Sequence, residues 1–223
     1  MVGLVKPLWT HRDFALVFAS RFLFQLGIGT IQQFMQYFIQ DCVPTTLPPT
    51  RAVSLALLPL LLTSPLTALL TTSLPLKKPT VYTSALLFTL TSLLLISTRS
   101  FPVALVASTV FGVGYGPFVS VEFAMLMDVL PGRGDVARDI SLWHSALVLP
   151  QIVAVPLAGV VRDVGQRWGE KAGDNELTVG GGMGMGGGEG EERGCLGYQM
   201  IFAICIVYFA AGVVATRAIR GVR

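Results

Sequence analysis

Long apolar runs, separated by short polar breaks, organise this chain. Six of them are long enough to cross a bilayer, which takes about 20 mostly apolar residues. They run approximately Phe14–Ile39, Ala52–Leu74, Thr80–Ser97, Phe101–Leu130, Ile140–Val161 and Gly197–Ala215. None alternates apolar and polar residues with a period of two, so helices rather than barrel strands are predicted. The expected fold class is an all-α membrane protein with six transmembrane helices. The fourth run is longer than a bilayer needs and should tilt or project from it. One stretch breaks the pattern. Residues 165–194 are polar, and Gly180–Gly188 is interrupted only by Met183 and Met185. Such a stretch buries too little to repay its ordering entropy, so a flexible outer loop is expected. It lacks the Gly-Lys-Ser/Thr ending and the preceding strand of a phosphate-binding loop.

Composition agrees with a lipid solvent. Of 223 residues, 52% are hydrophobic and 13% are charged, about half the charged fraction of a soluble domain. The formal charge of +3 is spread along the chain and gives nucleic-acid binding no support. The first apolar run is too long for a signal-peptide core and has no small-residue cleavage site, so it reads as a retained helix. With the N-terminus in the cytoplasm, Lys6, Arg12, Lys77, Lys78, Arg133, Arg138 and the C-terminal arginines fall inside. Arg51 and Arg99 fall outside, with Arg162, Arg167, Lys171 and Arg193 in one long loop where charge counts for less. Both termini are therefore expected to be cytoplasmic, in a plasma or vacuolar membrane. The cysteines are Cys42, Cys195 and Cys205, with no zinc or CxxC spacing. Cys205 should be a packed thiol. Only sidedness favours a bond between Cys42 and Cys195, and unpaired thiols are the expectation.

Candidate chemistry lies on three of the runs. At about 100° per residue, Arg21, Gln25, Gly29, Gln32 and Gln36 fall on one stripe of the first helix. Polar side chains are costly in a membrane and face the bundle interior or a water-filled path. Amides both donate and accept, as sugar-like hydroxyls require. The stripe therefore reads as a lining for a small polar solute, or equally as interhelical hydrogen bonding. Arg21 is near enough to the helix start to snorkel instead. The fourth run carries Gly112, Gly114, Tyr115, Gly116 and Pro117, then Glu122 and Asp128. A helix broken near mid-membrane is a usual place for a transport site, and Tyr115 would line it. A potassium filter would need a re-entrant loop between two helices, which this span does not offer.

Glu122 lies deeper in an apolar span than any other acid. It is the leading candidate for taking up and releasing a proton. Its structural alternative is a bond to Arg21 or His144. His144 sits one turn into the fifth helix and could shuttle protons. Its neighbours Asp139 and Trp143 read as a helix-start acid and an interface-belt aromatic. Asp128, at the cytoplasmic mouth, reads as a gating residue together with Lys77 and Lys78. Pro59, Pro65, Pro150 and Pro156 should kink two helices. No HExxH or GxSxG constellation is present, His11 and His144 are far apart in depth, and neither an enzyme nor a cofactor is implied.

Several of these phrases form a recognisable set. Phe14–Asp41, with Ser20-Arg21-Phe22-Leu23-Phe24-Gln25-Leu26-Gly27, resembles helix seven of certain major facilitator superfamily transporters. Phe111–Pro131 and Asp139–Gly159 resemble helices ten and eleven, through Phe-Gly-Val-Gly-Tyr-Gly, Met-Asp-Val-Leu-Pro and Leu-Trp-His-Ser-Ala-Leu-Val-Leu-Pro-Gln-Ile-Val-Ala. The group is fungal and plant-type, distantly similar to glycoside and sucrose cation symporters. The resemblance implies the C-terminal six-helix half of that fold, proton-coupled symport by alternating access, and a site shared with an N-terminal half. It also leaves open a homodimer partner, or a non-transporting fragment or interaction module of a truncated transporter. The loop at Leu76-Lys77-Lys78-Pro79 lacks the acid usual in the superfamily's cytoplasmic gate.

Overall fold

The computed structural model describes residues 11–71, 77–97, 99–129, 136–179 and 195–219, without side chains for 169–179. Six helices account for nearly all of these residues: α1 Arg12–Cys42, α2 Pro49–Thr71, α3 Lys77–Ser97, α4 Phe101–Val129, α5 Val136–Val179 and α6 Leu196–Ala218. Each overlaps one expected span, and all six are long and apolar enough to cross a membrane. The chain is thus an all-helical, multi-pass membrane protein.

Two sequence expectations change here. α5 does not stop at Val161 but continues to Val179, so the first half of the stretch expected as a loop is helical. Residues such as Gln166, Arg167, Glu170, Lys171 and Ala172 are good helix formers, and three glycines do not outweigh them. The glycine run itself, 180–194, lies outside the described residues. Likewise α4 is one continuous helix through Pro117, not a broken one.

The helices pack as two groups of three. α4 lies against α2 and α3, while α1 lies against α5 and α6. The groups meet where α3 packs on α6, and more thinly where α1 approaches α4 and α2. Their shared core is aromatic. Phe88 of α3 lies 5.1 Å from Phe111 and 5.8 Å from Phe118 of α4, and 5.3 Å from Phe209 of α6, between ring centroids. Phe24 of α1 closes the cluster, 4.9 Å from Phe118. Such tilted and edge-on pairs suit ring quadrupoles.

Glycine sets the approach of α4 to α2. A Cβ on Gly116 would lie 2.6 Å from Thr67 Oγ1 and 2.8 Å from the Ala68 backbone nitrogen. Gly112, one turn away, faces the same helix, and its carbonyl accepts from Thr67 Oγ1 at 3.4 Å. Lipid supplies no hydrophobic drive between helices, so this contact depends on close packing. Gly116→Val should therefore separate α2 from α4 at a cost of about 3 kcal/mol or more. Denaturation in mixed micelles would measure it, with Gly159→Val, where a Cβ meets nothing within 4 Å, as the control.

Candidate functional site

The polar stripe of α1 does not face one environment. Arg21 and Gln25 are buried, Gly29 and Gln32 are half-buried, and Gln36 is exposed. The buried end meets α4. There Arg21 Nη1 donates to Glu122 Oε2 at 2.5 Å, and the two side chains are 7% and 6% exposed. α1 and α4 run antiparallel, so the Phe24–Phe118 contact lies one turn along from the pair, toward the C-terminal end of α1. From the other flank, the ring of Trp143 on α5 lies under the guanidinium, 3.7 Å from Cζ to the centroid. Three helices thus converge on one ion pair. Arg21 is no snorkeller, and Trp143 is a buried stacking partner rather than an interface-belt residue.

The pair is costly as a structural element. Desolvating two charges often exceeds their attraction, and apolar replacements of like volume are often neutral or stabilising. Its satisfaction is also incomplete. Arg21 Nε, Glu122 Oε1 and Trp143 Nε1 are buried without a hydrogen-bond partner among the described residues.

Above this cluster runs a cleft between α1 and α2 of about 410 Å³, lined by Gln32, Gln36, Ser54, Leu57, Leu58, Leu60 and Leu61. Tyr115 of α4 lies between the two levels. It stacks on Phe111 with ring centroids 6.0 Å apart, and it is close enough to Gln32, Arg21 and Glu122 to feel all three electrostatically. Arg21, Glu122 and Tyr115 are thus near neighbours, with Gln32 beside Tyr115 and Gln25 buried one turn along α1 from Arg21. His144 does not join them. It is exposed on α5, and Glu122 pairs with Arg21 instead.

At the end of the bundle where α4 finishes, Lys77 Nζ contacts Asp128 Oδ2 at 2.6 Å and donates to the Ala124 carbonyl at 3.3 Å. Lys77 is thus paired with an acid at the end of α4. Lys78 Nζ donates to the Ile219 carbonyl at 2.5 Å, beyond the end of α6. Asp128 and Lys77 are about one-third and one-quarter exposed, so charge removal there (Lys77→Gln with Asp128→Asn) should cost no more than about 1 kcal/mol. A thermal-shift comparison checks this.

At the opposite end, sequence reasoning missed a second network. Cys42 and Cys195 form a disulfide across a sequence separation of 153, with Cα atoms 5.8 Å apart. Beside it the Tyr198 hydroxyl donates to Asp41, and the Arg162 backbone of α5 packs closely against Gly197 of α6. α1, α5 and α6 are fastened together at this end. The expectation of unpaired thiols fails because α1 and α6 pack side by side, from Phe24 against Gly212 through Phe38 against Phe202 to the two cysteines. Cys205 is buried and free.

Comparison with known proteins adds no family: no protein-family profile and no curated protein matches the chain.

Proposed function

We propose that this chain is one half of a secondary transporter, of major facilitator type, which moves a small polar solute by alternating access together with a proton carried on Glu122. The buried Arg21–Glu122 pair at the junction of α1, α4 and α5 carries this reading. An ion pair deep in a membrane helix bundle brings little stability, so a role in moving charge is the better reason for it. The helix grouping supports the same reading. α1 and α4 touch thinly while each is bound to other helices, so the pair spans a seam along which two groups can rock. The solute would enter by the cleft and be held by Gln32 and Tyr115, with Lys77–Asp128 and Lys78 holding the inward end together.

Polar side chains also mark where a partner belongs. Gln36, His144 and Gln151 are exposed within apolar spans, where lipid would leave their hydrogen bonds unmet. A six-helix N-terminal half, or a second copy of this chain, would cover them. Orientation follows from the disulfide, since disulfides persist in oxidising compartments. The Cys42–Cys195 end then faces the exterior or lumen, with both termini in the cytoplasm. A membrane-impermeant maleimide added to intact cells should label Cys42 and Cys195 only after mild reduction; labelling confined to inverted vesicles reverses the orientation.

The function itself is tested in proteoliposomes holding the chain, alone or joined to an N-terminal six-helix half. An inward proton gradient should drive uptake from a panel of sugars, amino acids and organic acids. No gradient-dependent uptake in either form would end the transport reading.

A further inference from the structure

Three polar atoms of one cluster are left over once the Arg21–Glu122 bond is made: the N–H groups of Arg21 Nε and Trp143 Nε1, and the carboxylate oxygen Glu122 Oε1. Their side chains are all more than nine-tenths buried and come from three different helices. Buried polar groups are nearly always paired, so three orphans in one place point to a ligand that pairs them. Two leftover donors beside a guanidinium describe a receptor for an anion.

We infer that this cluster binds a monoanionic solute through its carboxylate, together with one proton on Glu122. The inference rests on the transport reading above and names its substrate class. Net charge decides it. The unloaded site holds one guanidinium and one carboxylate, and sums to zero. A carboxylate entering alone makes the sum −1, and a proton entering alone makes it +1. Either uncompensated charge is strongly opposed where water is excluded. When both enter, Glu122 becomes a neutral acid with an O–H donor and Arg21 pairs with the solute instead, so the sum returns to zero. The guanidinium fork suits a carboxylate, and the indole N–H adds a further donor. A neutral sugar entering with a proton would leave +1 behind. Coupling between solute and proton thus follows from electrostatics, without a separate gate. No covalent bond forms or breaks; the proton comes from bulk water and returns to it.

The charged and titratable groups around Glu122 fit this balance. Arg21 faces it from α1, and Tyr115 is near it on α4. On α3, Lys77 is engaged by Asp128. On α5, Asp139 is paired with Arg138 at 3.0 Å, and His144 points to the exposed face. On α2 the only such group is Arg51, at the helix start. Among these described groups, Arg21 is the one that forms an ion pair with Glu122.

The test is binding to the full chain in nanodiscs, read by Trp143 fluorescence in a Trp9→Phe, Trp168→Phe background. The probes are acetate, lactate and benzoate, each against its amide, and glucose. At least one acid should bind, its amide at least about tenfold more weakly. Affinity should rise about tenfold per pH unit of acidification wherever Glu122 is ionised in the unloaded site, the signature of one proton taken up. Glu122→Gln should bind the acid without pH dependence, because the amide stands in for the neutral acid. The charge-free pair Arg21→Gln with Glu122→Gln keeps the site neutral and should lose acid binding while melting normally. Equal binding of acid and amide, pH-independent binding by the wild type, or no binding of any acid overturns the assignment. Proton-coupled glucose uptake without acid binding would overturn it and leave the transport reading standing. Acid binding with proton uptake, in a protein that moves no solute, would do the reverse.

Discussion

Arg21→Ala should destabilise the protein by about 3–5 kcal/mol, because it strands the Glu122 carboxylate in a water-excluded junction. The loss has two parts: an unpaired charge, and a guanidinium removed from the face of Trp143, where its contact is 3.7 Å. Arg21→Met combined with Glu122→Leu should recover most of the loss, since two apolar side chains of similar volume need no partner. Denaturation of the purified chain in mixed micelles at neutral pH measures all three variants. A double variant as unstable as Arg21→Ala would mean that the pair is a structural necessity, and would remove the reason for assigning it a role in transport. Acidification separates the variants further. Arg21→Ala should regain stability as pH falls, because a protonated Glu122 no longer carries an unpaired charge.

Cys42→Ser should have the second-largest effect on stability, about 2–4 kcal/mol. The bond closes a long loop, with 153 residues of sequence separation. The chain-entropy value for such a loop, about 5 kcal/mol, is an upper limit. Helices already held in a membrane are less free than the unfolded coil for which that value applies. The difference between Cys42→Ser and wild type should vanish once the wild type is reduced. Activity should be less sensitive than stability, because the Tyr198–Asp41 hydrogen bond and the Arg162–Gly197 contact still fasten α1, α5 and α6 at that end. A variant as stable as oxidised wild type would mean that packing alone holds α1 to α6.

The elements were legible in the sequence because lipid imposes a simple rule: a spanning segment is long, apolar and helical. Glu122 and Arg21 were legible for the same reason, as charges where charge is expensive. Their pairing was open, since the sequence offered His144 as well. Trp143 was misplaced because position near a helix start says nothing about which neighbour covers it. Gly112, Gly116 and Pro117 together suggested a broken helix, yet these glycines make room for α2 and the helix runs on. The disulfide was hidden because nothing in the spacing of Cys42 and Cys195 reveals that α1 and α6 are neighbours. Polar composition likewise misled at the end of α5, where helix propensity outweighs the absence of apolar residues.

The role of Glu122 can be isolated from all of these. In proteoliposomes of the transporting form, Glu122→Gln should still exchange labelled for unlabelled solute across the membrane, because the neutral side chain resembles the proton-loaded site. It should no longer accumulate solute against a gradient when protons flow inward, and its exchange should be independent of pH. Accumulation driven by the proton gradient at the wild-type level in Glu122→Gln would contradict the assignment of the coupling proton to this carboxylate.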